Sequence, residues 1–305
     1  MISALSALNP VNQQFVNNLS NITQDISNDE LDITSGVDMR NLSDNPDEIS
    51  SLLQTRAQLS ATQQVSTDLG MYTTEVNTGE SSLQSAVQLF TQVQTLAAEG
   101  ATGTETAATQ SQLGTQIQSL EQQMVGLANT QVNGRFIFAG DEDQTQPYTF
   151  DATQTDPVSA YQGSASTREA TAANGTSFPI ALTAQQIFDS SDPSTNVFTA
   201  INNVVTALNN NDQSGVQTAL NAMTGVASYL NDQLAFYGNA QDNLTNATTQ
   251  AQAQTTQLQT QISNLQDTDV TATITDMTQA QTQEQAALGA EAEIPRQTLF
   301  DFLAS

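Results

Sequence analysis

The side chains that most often carry enzyme chemistry are scarce in this chain of 305 residues. It contains no histidine, no cysteine and no tryptophan, and its basic residues are five arginines without a lysine. The composition therefore lacks the usual zinc ligands, the serine-histidine-aspartate arrangement and any thiol nucleophile. We expect no enzyme activity, and hence no catalytic residues, no bound metal and no cofactor.

Acidic residues are plentiful, with 32 Asp and Glu in the chain. The densest cluster is Asp141-Glu142-Asp143, which lacks the alternating acids, glycine and distant glutamate of a calcium loop, so we expect a solvated turn. Asp267 and Asp269 are expected to cap a following helix at Val270–Leu288. A carboxylate pair for glycoside hydrolysis stays open as an alternative, because such a pair is defined in space rather than in sequence.

The overall charge narrows the choice of partners. A formal net charge of −27 at pH 7 would repel phosphate backbones and anionic lipid headgroups, so we expect no nucleic-acid partner. No run approaches the ~20 apolar residues that cross a bilayer, so we expect no membrane insertion. The first residues also lack the basic and continuous apolar regions of a cleaved secretory signal, so any export must use another route.

Both ends of the chain space their apolar residues at alternating intervals of three and four. A 3.5-residue period places one narrow apolar stripe along a helix, and another helix must cover such a stripe. Two terminal helices that need partners indicate a protein that assembles, with ends that are loosely ordered in the free subunit. The N-terminal ladder is Leu8, Phe15, Leu19, Ile22, Ile26 and Ile33, with Asn12 and Asp29 at its missing rungs. The C-terminal ladder is Leu244, Thr248, Ala251, Thr255, Leu258, Ile262 and Leu265.

The segments between the two ladders follow a helix, strand, helix order. Asn45-Pro46-Asp47-Glu48 predicts the start of a long helix of ~50 residues, because a cap residue, a proline and two acids begin its first turn. Further helices are predicted over Leu113–Leu127, Val197–Leu208 and Val216–Tyr237. The Gln/Thr-rich tract that follows is predicted to be a separate helix rather than disordered. Between them, Phe136-Ile137-Phe138 and the segment 151–192 indicate β structure.

These patterns predict a mainly α fold, in which the N- and C-terminal segments form a long helical bundle or coiled coil around a small, mostly β inserted domain. We expect three parts. Residues 1–33 with 270–305 form a terminal helical region, residues 34–132 with 197–269 form a helical bundle, and residues 133–196 form a β-rich outer insertion.

Three segments resemble the flagellin superfamily. One is DITSGVDMRNLSDNP, from Asp32 to Pro46, which is similar to the leucine-serine-serine-glycine and serine-aspartate-aspartate-proline pattern of that family, followed by its arginine at Arg56. The others are NGRFIFAG at 133–140 and QTLFDFL at 297–303, which are similar to the branch that joins hook to filament.

The resemblance implies a structural component of the bacterial flagellum that acts in motility as a hook-associated protein at the hook-filament junction. It implies an extracellular location, reached unfolded through the flagellar type III export apparatus without a cleaved signal peptide. The implied partners are further copies of the chain in a ring, the neighbouring hook-associated protein and flagellin, with a flagellar export chaperone as an additional candidate. Filament flagellin is the alternative, and a secreted adhesin or an appendage-displayed hydrolase are more distant ones.

The candidate site is therefore an assembly interface, made of apolar residues from both terminal ladders and from the C-terminal segment beyond them, with arginines that could anchor a contact. The predicted interface residues are Leu8, Phe15, Leu19, Ile22, Ile26, Arg56, Arg135, Leu258, Ile262, Leu265, Ile274, Met277, Leu288, Leu299, Phe300 and Phe302.

Overall fold

The computed structural model describes residues 2–39, 46–103 and 105–293, with side chains for residues 13–39, 48–103 and 105–292. Within those ranges the chain is mainly α-helical, which confirms the predicted fold class. The helices are α1 (Ile2–Ser35), α2 (Pro46–Gly100), α3 (Ala107–Ala128), α4 (Ala184–Phe188), α5 (Val197–Asn209), α6 (Gln213–Gln266) and α7 (Val270–Glu293). The strands are β1 (Gln131–Val132), β2 (Arg135–Phe136), β3 (Glu169–Thr171) and β4 (Ser177–Pro179).

The chain divides into two compact units. Unit 1 comprises Met1–Ser60 and Thr256–Ser305, and unit 2 comprises Ala61–Thr255. The three-part division expected from the sequence stays a prediction.

Unit 2 is built on two long helices whose buried residues recur every seventh position. A strict seven-residue spacing keeps one face of a helix against a partner over many turns, as in a coiled coil. The two helices approach closely at Gly79, where an added Cβ would lie 2.5 Å from a ring carbon of Tyr237. The buried residues on α2 are Leu69, Val76, Leu83, Phe90 and Ala97, and those on α6 are Val216, Met223, Leu230, Tyr237, Leu244 and Ala251.

The segment between α3 and α5 consists of short hairpins and turns. Strands β1 and β2 pair across Asn133 and Gly134, whose φ angles of 52° and 77° suit the tight two-residue turn that Asn-Gly favours. Strands β3 and β4 form the second antiparallel pair. The predicted strand through Phe138 is too long, because the backbone turns after Phe136 and the Ile137 amide donates to the Thr130 carbonyl at 3.0 Å.

Residues of this segment belong to the same apolar core as the long helices. Tyr148, Ile180, Ile187 and Phe188 are all at most 1% exposed and pack in the core that α2, α3, α5 and α6 share. Tyr148 and Phe188 both meet Phe198 of α5, at ring-centroid distances of 5.2 and 5.8 Å. Removal of residues 151–192 would therefore open the core of unit 2.

The C-terminal half departs from the sequence prediction in one respect. The helix predicted at Val216–Tyr237 and the Gln/Thr-rich helix after it are one continuous helix, α6, although the tract is helical as predicted. Asp269 caps α7 as predicted, since its carboxylate accepts from the amides of Thr271 and Ala272 at 3.0 and 3.2 Å. Asp267 does not share that role, because its backbone pairs with Val37 and its carboxylate accepts from Ser263.

The start of α2 at Pro46 agrees with the prediction, whereas its expected cap, Asn45, lies outside the described residues. In the part of the chain that the structure describes, every helix is too short or too polar to cross a membrane.

Candidate assembly surface

In unit 1, α1 and α7 pack side by side. The chain segments at the end of α1 and the start of α7 are hydrogen-bonded, with the Thr268 amide donating to the Gly36 carbonyl at 3.1 Å. One helix therefore runs toward this point and the other runs away from it, so the pair is antiparallel. The N-terminal ladder is only partly buried in this helix pair, because Phe15, Leu19 and Ile22 are all half-buried rather than buried.

This helix pair has almost no closed core. Among the described side chains of α1, from residue 13 to 35, Asp32 alone is buried, and none of those from 270 to 292 on α7 is. The long helices of unit 2, in contrast, bury a residue at every seventh position. Helix pairs in proteins gain most of their stability from buried apolar faces. The α1/α7 pair buries few side chains, so burial of more apolar surface would stabilise it.

Exposed apolar side chains are concentrated in unit 1. Of the seven large apolar residues that are exposed in the described part of the chain, six belong to this unit and one, Met71, belongs to unit 2. A unit that holds most of the exposed large apolar side chains is a candidate for association. The six are Val16 (60% exposed), Leu31 (50%), Leu53 (50%), Val270 (43%), Ile274 (46%) and Leu288 (50%). We call these six residues the terminal apolar surface.

Asp29 occupies a missing rung of the N-terminal ladder, on the stripe that packs toward α7. The residue is half-buried, and burial together with the nearby charges of Asp276, Asp32 and Asp25 raises the pKa of its carboxyl group above the usual value. Since the folded state favours the protonated acid, ionisation at neutral pH weakens the α1/α7 pair. In a free subunit, the contact between α1 and α7 is therefore weakened both by its small buried core and by the negative charge of Asp29.

Backbone hydrogen bonds join the segment that follows α1 to the segment that precedes α7. The amide of Asp38 donates to the Gln266 carbonyl at 2.9 Å, and Val37 forms a bridge with Asp267. Arg56 is exposed and its guanidinium donates to the Gln266 side chain at 2.5 Å. Arg56 therefore lies beside these paired segments in unit 1. Its role in an interface stays a prediction.

Arg135, the second predicted interface arginine, takes part in a charge cluster inside unit 2. Its guanidinium lies 2.6 Å from Glu75 of α2 and 3.5 Å from Asp143. Arg168 lies 2.8 Å from the other oxygen of Glu75 and also donates to the Ile137 carbonyl at 2.9 Å. The sequence singled out the arginines by their scarcity, but no pattern identified Glu75 as the carboxylate on which two of them converge.

The structure places the remaining predicted interface residues at different depths. Leu258 is buried at 5% exposure, Ile26, Ile262, Leu265 and Met277 are half-buried, and Ile274 and Leu288 are exposed. Leu8 lies in α1 with its side chain outside the described set, and Leu299, Phe300 and Phe302 lie outside the described residues. The assignment of these residues to an interface stays a prediction.

The acidic cluster at 141–143 lies in a turn, as predicted. Asp141 and Glu142 are exposed, and Asp143 is half-buried beside Arg135. Across the residues that the structure describes, no group of three or more Asp and Glu is arranged to hold a metal ion.

Comparisons with known proteins identify the two helical ends of the chain. The profile of the bacterial flagellin N-terminal helical region matches residues 8–143, and that of the bacterial flagellin C-terminal helical region matches residues 213–303. Among curated proteins, none matches this sequence significantly.

Several solved structures share the fold. A putative flagellar hook-associated protein from Vibrio parahaemolyticus is 21% identical with a TM-score of 0.64, and the match covers 73% of this chain and all of that one. FlgL from Bacillus cereus is 20% identical with a TM-score of 0.54, over 70% of this chain and all of that one. Flagellar hook-associated protein-3 from Legionella pneumophila is 11% identical with a TM-score of 0.60, over 70% and 98%.

The matched segments are the two helical ends of the chain, and they include most of α1 and all of α2 and α7, the helices that carry the terminal apolar surface. With both flagellin helical regions present in their expected order, the chain belongs to the bacterial flagellin family, a family of flagellar structural proteins.

Proposed function

We propose that the chain is a structural subunit of the bacterial flagellum that joins the hook to the flagellin filament. The observation that carries this proposal is the concentration of exposed apolar side chains in unit 1, beside a helix pair with almost no buried core. A surface of this kind is stabilised when copies of the subunit, or unlike neighbours, cover it. Its exposure in the free chain fits a protein that becomes fully stable on assembly.

The junction role, rather than the filament itself, is supported by two features. The NGRFIFAG segment supplies the turn and the second strand of the β1-β2 hairpin, and it resembles the junction branch of the family. The structures described above are named as hook-associated proteins or FlgL. Filament flagellin stays the second candidate, because the family profiles that match this chain describe flagellin ends in general.

The proposed partners are further copies of the chain in a ring, the neighbouring hook-associated protein and flagellin. An export chaperone is a further proposed partner, because an exposed apolar seam needs cover before assembly. We propose export through the flagellar type III apparatus, without a cleaved signal, to the hook-filament junction outside the cell.

An in-frame deletion of the gene tests this role. We expect cells that build complete hooks, carry no filaments and release flagellin into the medium, because flagellin would lack its first template. Electron microscopy of hooks and immunoblotting of the medium for flagellin measure both parts. Normal filaments on the deletion strain would overturn the proposal and leave an adhesin or hydrolase, and loss of both filaments and released flagellin would identify the chain as the filament protein.

A further inference from the structure

Glu121 is a buried acid on α3 that the assembly role does not use. It lies on the apolar stripe by which α3 enters the core, one turn after Ile117 and one turn before Met124 and Val125, which are all at most 4% exposed. Glu121 itself is 1% exposed. A helix position of this spacing and depth is ordinarily occupied by an apolar residue.

In the part of the chain that the structure describes, no hydrogen bond compensates the burial of the Glu121 carboxylate. Neither of its oxygens has a hydrogen-bond partner. The helix that packs against α3 is α5, whose buried residues are all apolar and which contains no titratable side chain. An ionised carboxylate in such a place loses its hydration and gains nothing in return, so burial favours the protonated acid.

The charged groups of unit 2 do not offset this cost. Unit 2 contains two basic residues, Arg135 and Arg168, and both are paired with Glu75, at 2.6 and 2.8 Å. Glu121 is the sole titratable side chain of α3. The charge that does act on Glu121 is that of Asp156 in the inserted segment, and this charge is negative. It therefore adds to the cost of ionising Glu121.

We propose that Glu121 is a destabilising residue in the core of unit 2, which makes this unit easier to unfold at neutral pH than in acid. In acid the side chain is neutral in both the folded and the unfolded chain, so no charge has to be buried. At neutral pH, unfolding releases an ionised carboxylate into water. The hydration of that carboxylate stabilises the unfolded chain relative to the folded one.

Export is the step that such a residue would assist. A chain that is exported unfolded, as proposed above, must lose the fold of unit 2 first, and an ionisable residue in the core lowers the free energy of unfolding that has to be overcome. This use rests on the proposed function, whereas the effect of Glu121 on stability does not.

The range of pH over which Glu121 acts follows from its protonation in the two states. Burial, and secondarily the charge of Asp156, raises the pKa of Glu121 to about 8 in the folded chain from an ordinary 4.5. The stability that the neutral acid confers is therefore complete below about pH 4.5, falls as the pH rises to about 8, and is lost above that pH. The chain has no histidine, so side chains with an ordinary pKa do not titrate between pH 6 and 8.

Tyrosine fluorescence reports the unfolding of unit 2 selectively. All five tyrosines of the chain lie in unit 2, and the chain has no tryptophan. Urea unfolding of the purified full-length chain, followed by this fluorescence, therefore measures unit 2 without a signal from unit 1. Between pH 5.5 and 7.5 we expect the unfolding equilibrium constant of the wild type, extrapolated to zero urea, to rise by up to about a hundredfold.

Two substitutions remove the ionisable group. Methionine suits the apolar stripe of α3 and is a good helix former, so Glu121→Met should have a higher urea midpoint than the wild type at pH 7.5. Glu121→Gln keeps the shape of the side chain without its charge. Both variants should lose most of the rise between pH 5.5 and 7.5. Glu142→Gln, at an exposed position, is the matched control and should keep the wild-type rise.

The change with pH, rather than the absolute stability, decides the test, so either variant suffices if the other fails to fold. An unfolding constant that stays the same in the wild type from pH 5.5 to 7.5 would overturn the proposal. An equal rise in the wild type and in a variant without Glu121 would also overturn it. Because the measurement uses the purified chain, its outcome is separate from that of the gene deletion that tests the junction role.

Discussion

The double substitution Ile274→Gln with Leu288→Gln should produce subunits that are exported and folded but that support few or no filaments. Both side chains are about half exposed on α7, so glutamine at either position leaves no cavity and keeps a good helix former. Burial of an Ile or Leu side chain is worth about 1.5–3 kcal/mol. Because each side chain is already about half buried in the free subunit, assembly adds about half of this value per residue, and removal of both should weaken each contact by about tenfold to a hundredfold.

The measurement is the number of filaments per hook in the deletion strain complemented with each variant. Met71→Gln is the matched control, because Met71 is an equally exposed apolar residue, at 52%, but belongs to unit 2. We expect near-normal filament numbers for the control. Equal filament numbers for the double variant and for Met71→Gln would show that the terminal apolar surface has no special part in assembly.

The substitution Glu75→Gln should lower the stability of unit 2 markedly. The carboxylate is 9% exposed and pairs with Arg168, which is 16% exposed and ties the turn at Ile137 to α2. Loss of one member of a buried ion pair leaves the other charge uncompensated and costs about 3 kcal/mol or more. We expect the urea midpoint of unfolding at pH 7, followed by circular dichroism, to fall by about 1 M.

Two further variants separate the buried pair from the general effect of removing a charge. Glu99→Gln removes an exposed carboxylate from the same helix and should leave the midpoint unchanged. Arg135→Gln should have a much smaller effect than Arg168→Gln, because Arg135 is 46% exposed and solvent screens its pair. A midpoint for Glu75→Gln that coincides with that of Glu99→Gln would contradict this account of the charge cluster.

The helical framework was accessible from the sequence because its physical cause is a local repeat. Apolar residues at a spacing of seven, such as Leu69, Val76 and Leu83, specify both a helix and the face that it buries. The start of α2 at Pro46 and the cap at Asp269 depend on residues within one turn of the helix end. Features of this kind need no knowledge of the rest of the fold.

The continuity of α6 was missed for a physical reason. The sequence changes in composition after Tyr237, from apolar-rich to Gln/Thr-rich, and this change resembles an element boundary. A helix ends where its backbone hydrogen bonds can no longer continue, and neither Gly238 nor the polar tract prevents them. The seven-residue spacing passes through the change without a shift, from Tyr237 to Leu244.

The charge cluster and the shared core could not be derived from local patterns. Glu75 and Arg168 are separated by 93 positions and meet only because the inserted segment folds back onto α2. Glu121 has the ordinary spacing of a core residue on α3, and only its complete burial makes it unusual. For the same reason, local patterns did not show that Tyr148, Ile180 and Phe188 pack in the core of the long helices.

Immunogold electron microscopy of intact flagella tests the proposal that this chain lies at the boundary between hook and filament. An antibody raised against residues 151–192 would label a segment whose loops are largely exposed. We expect gold particles confined to the hook-filament boundary. Gold along the whole filament, or away from flagella altogether, would contradict it.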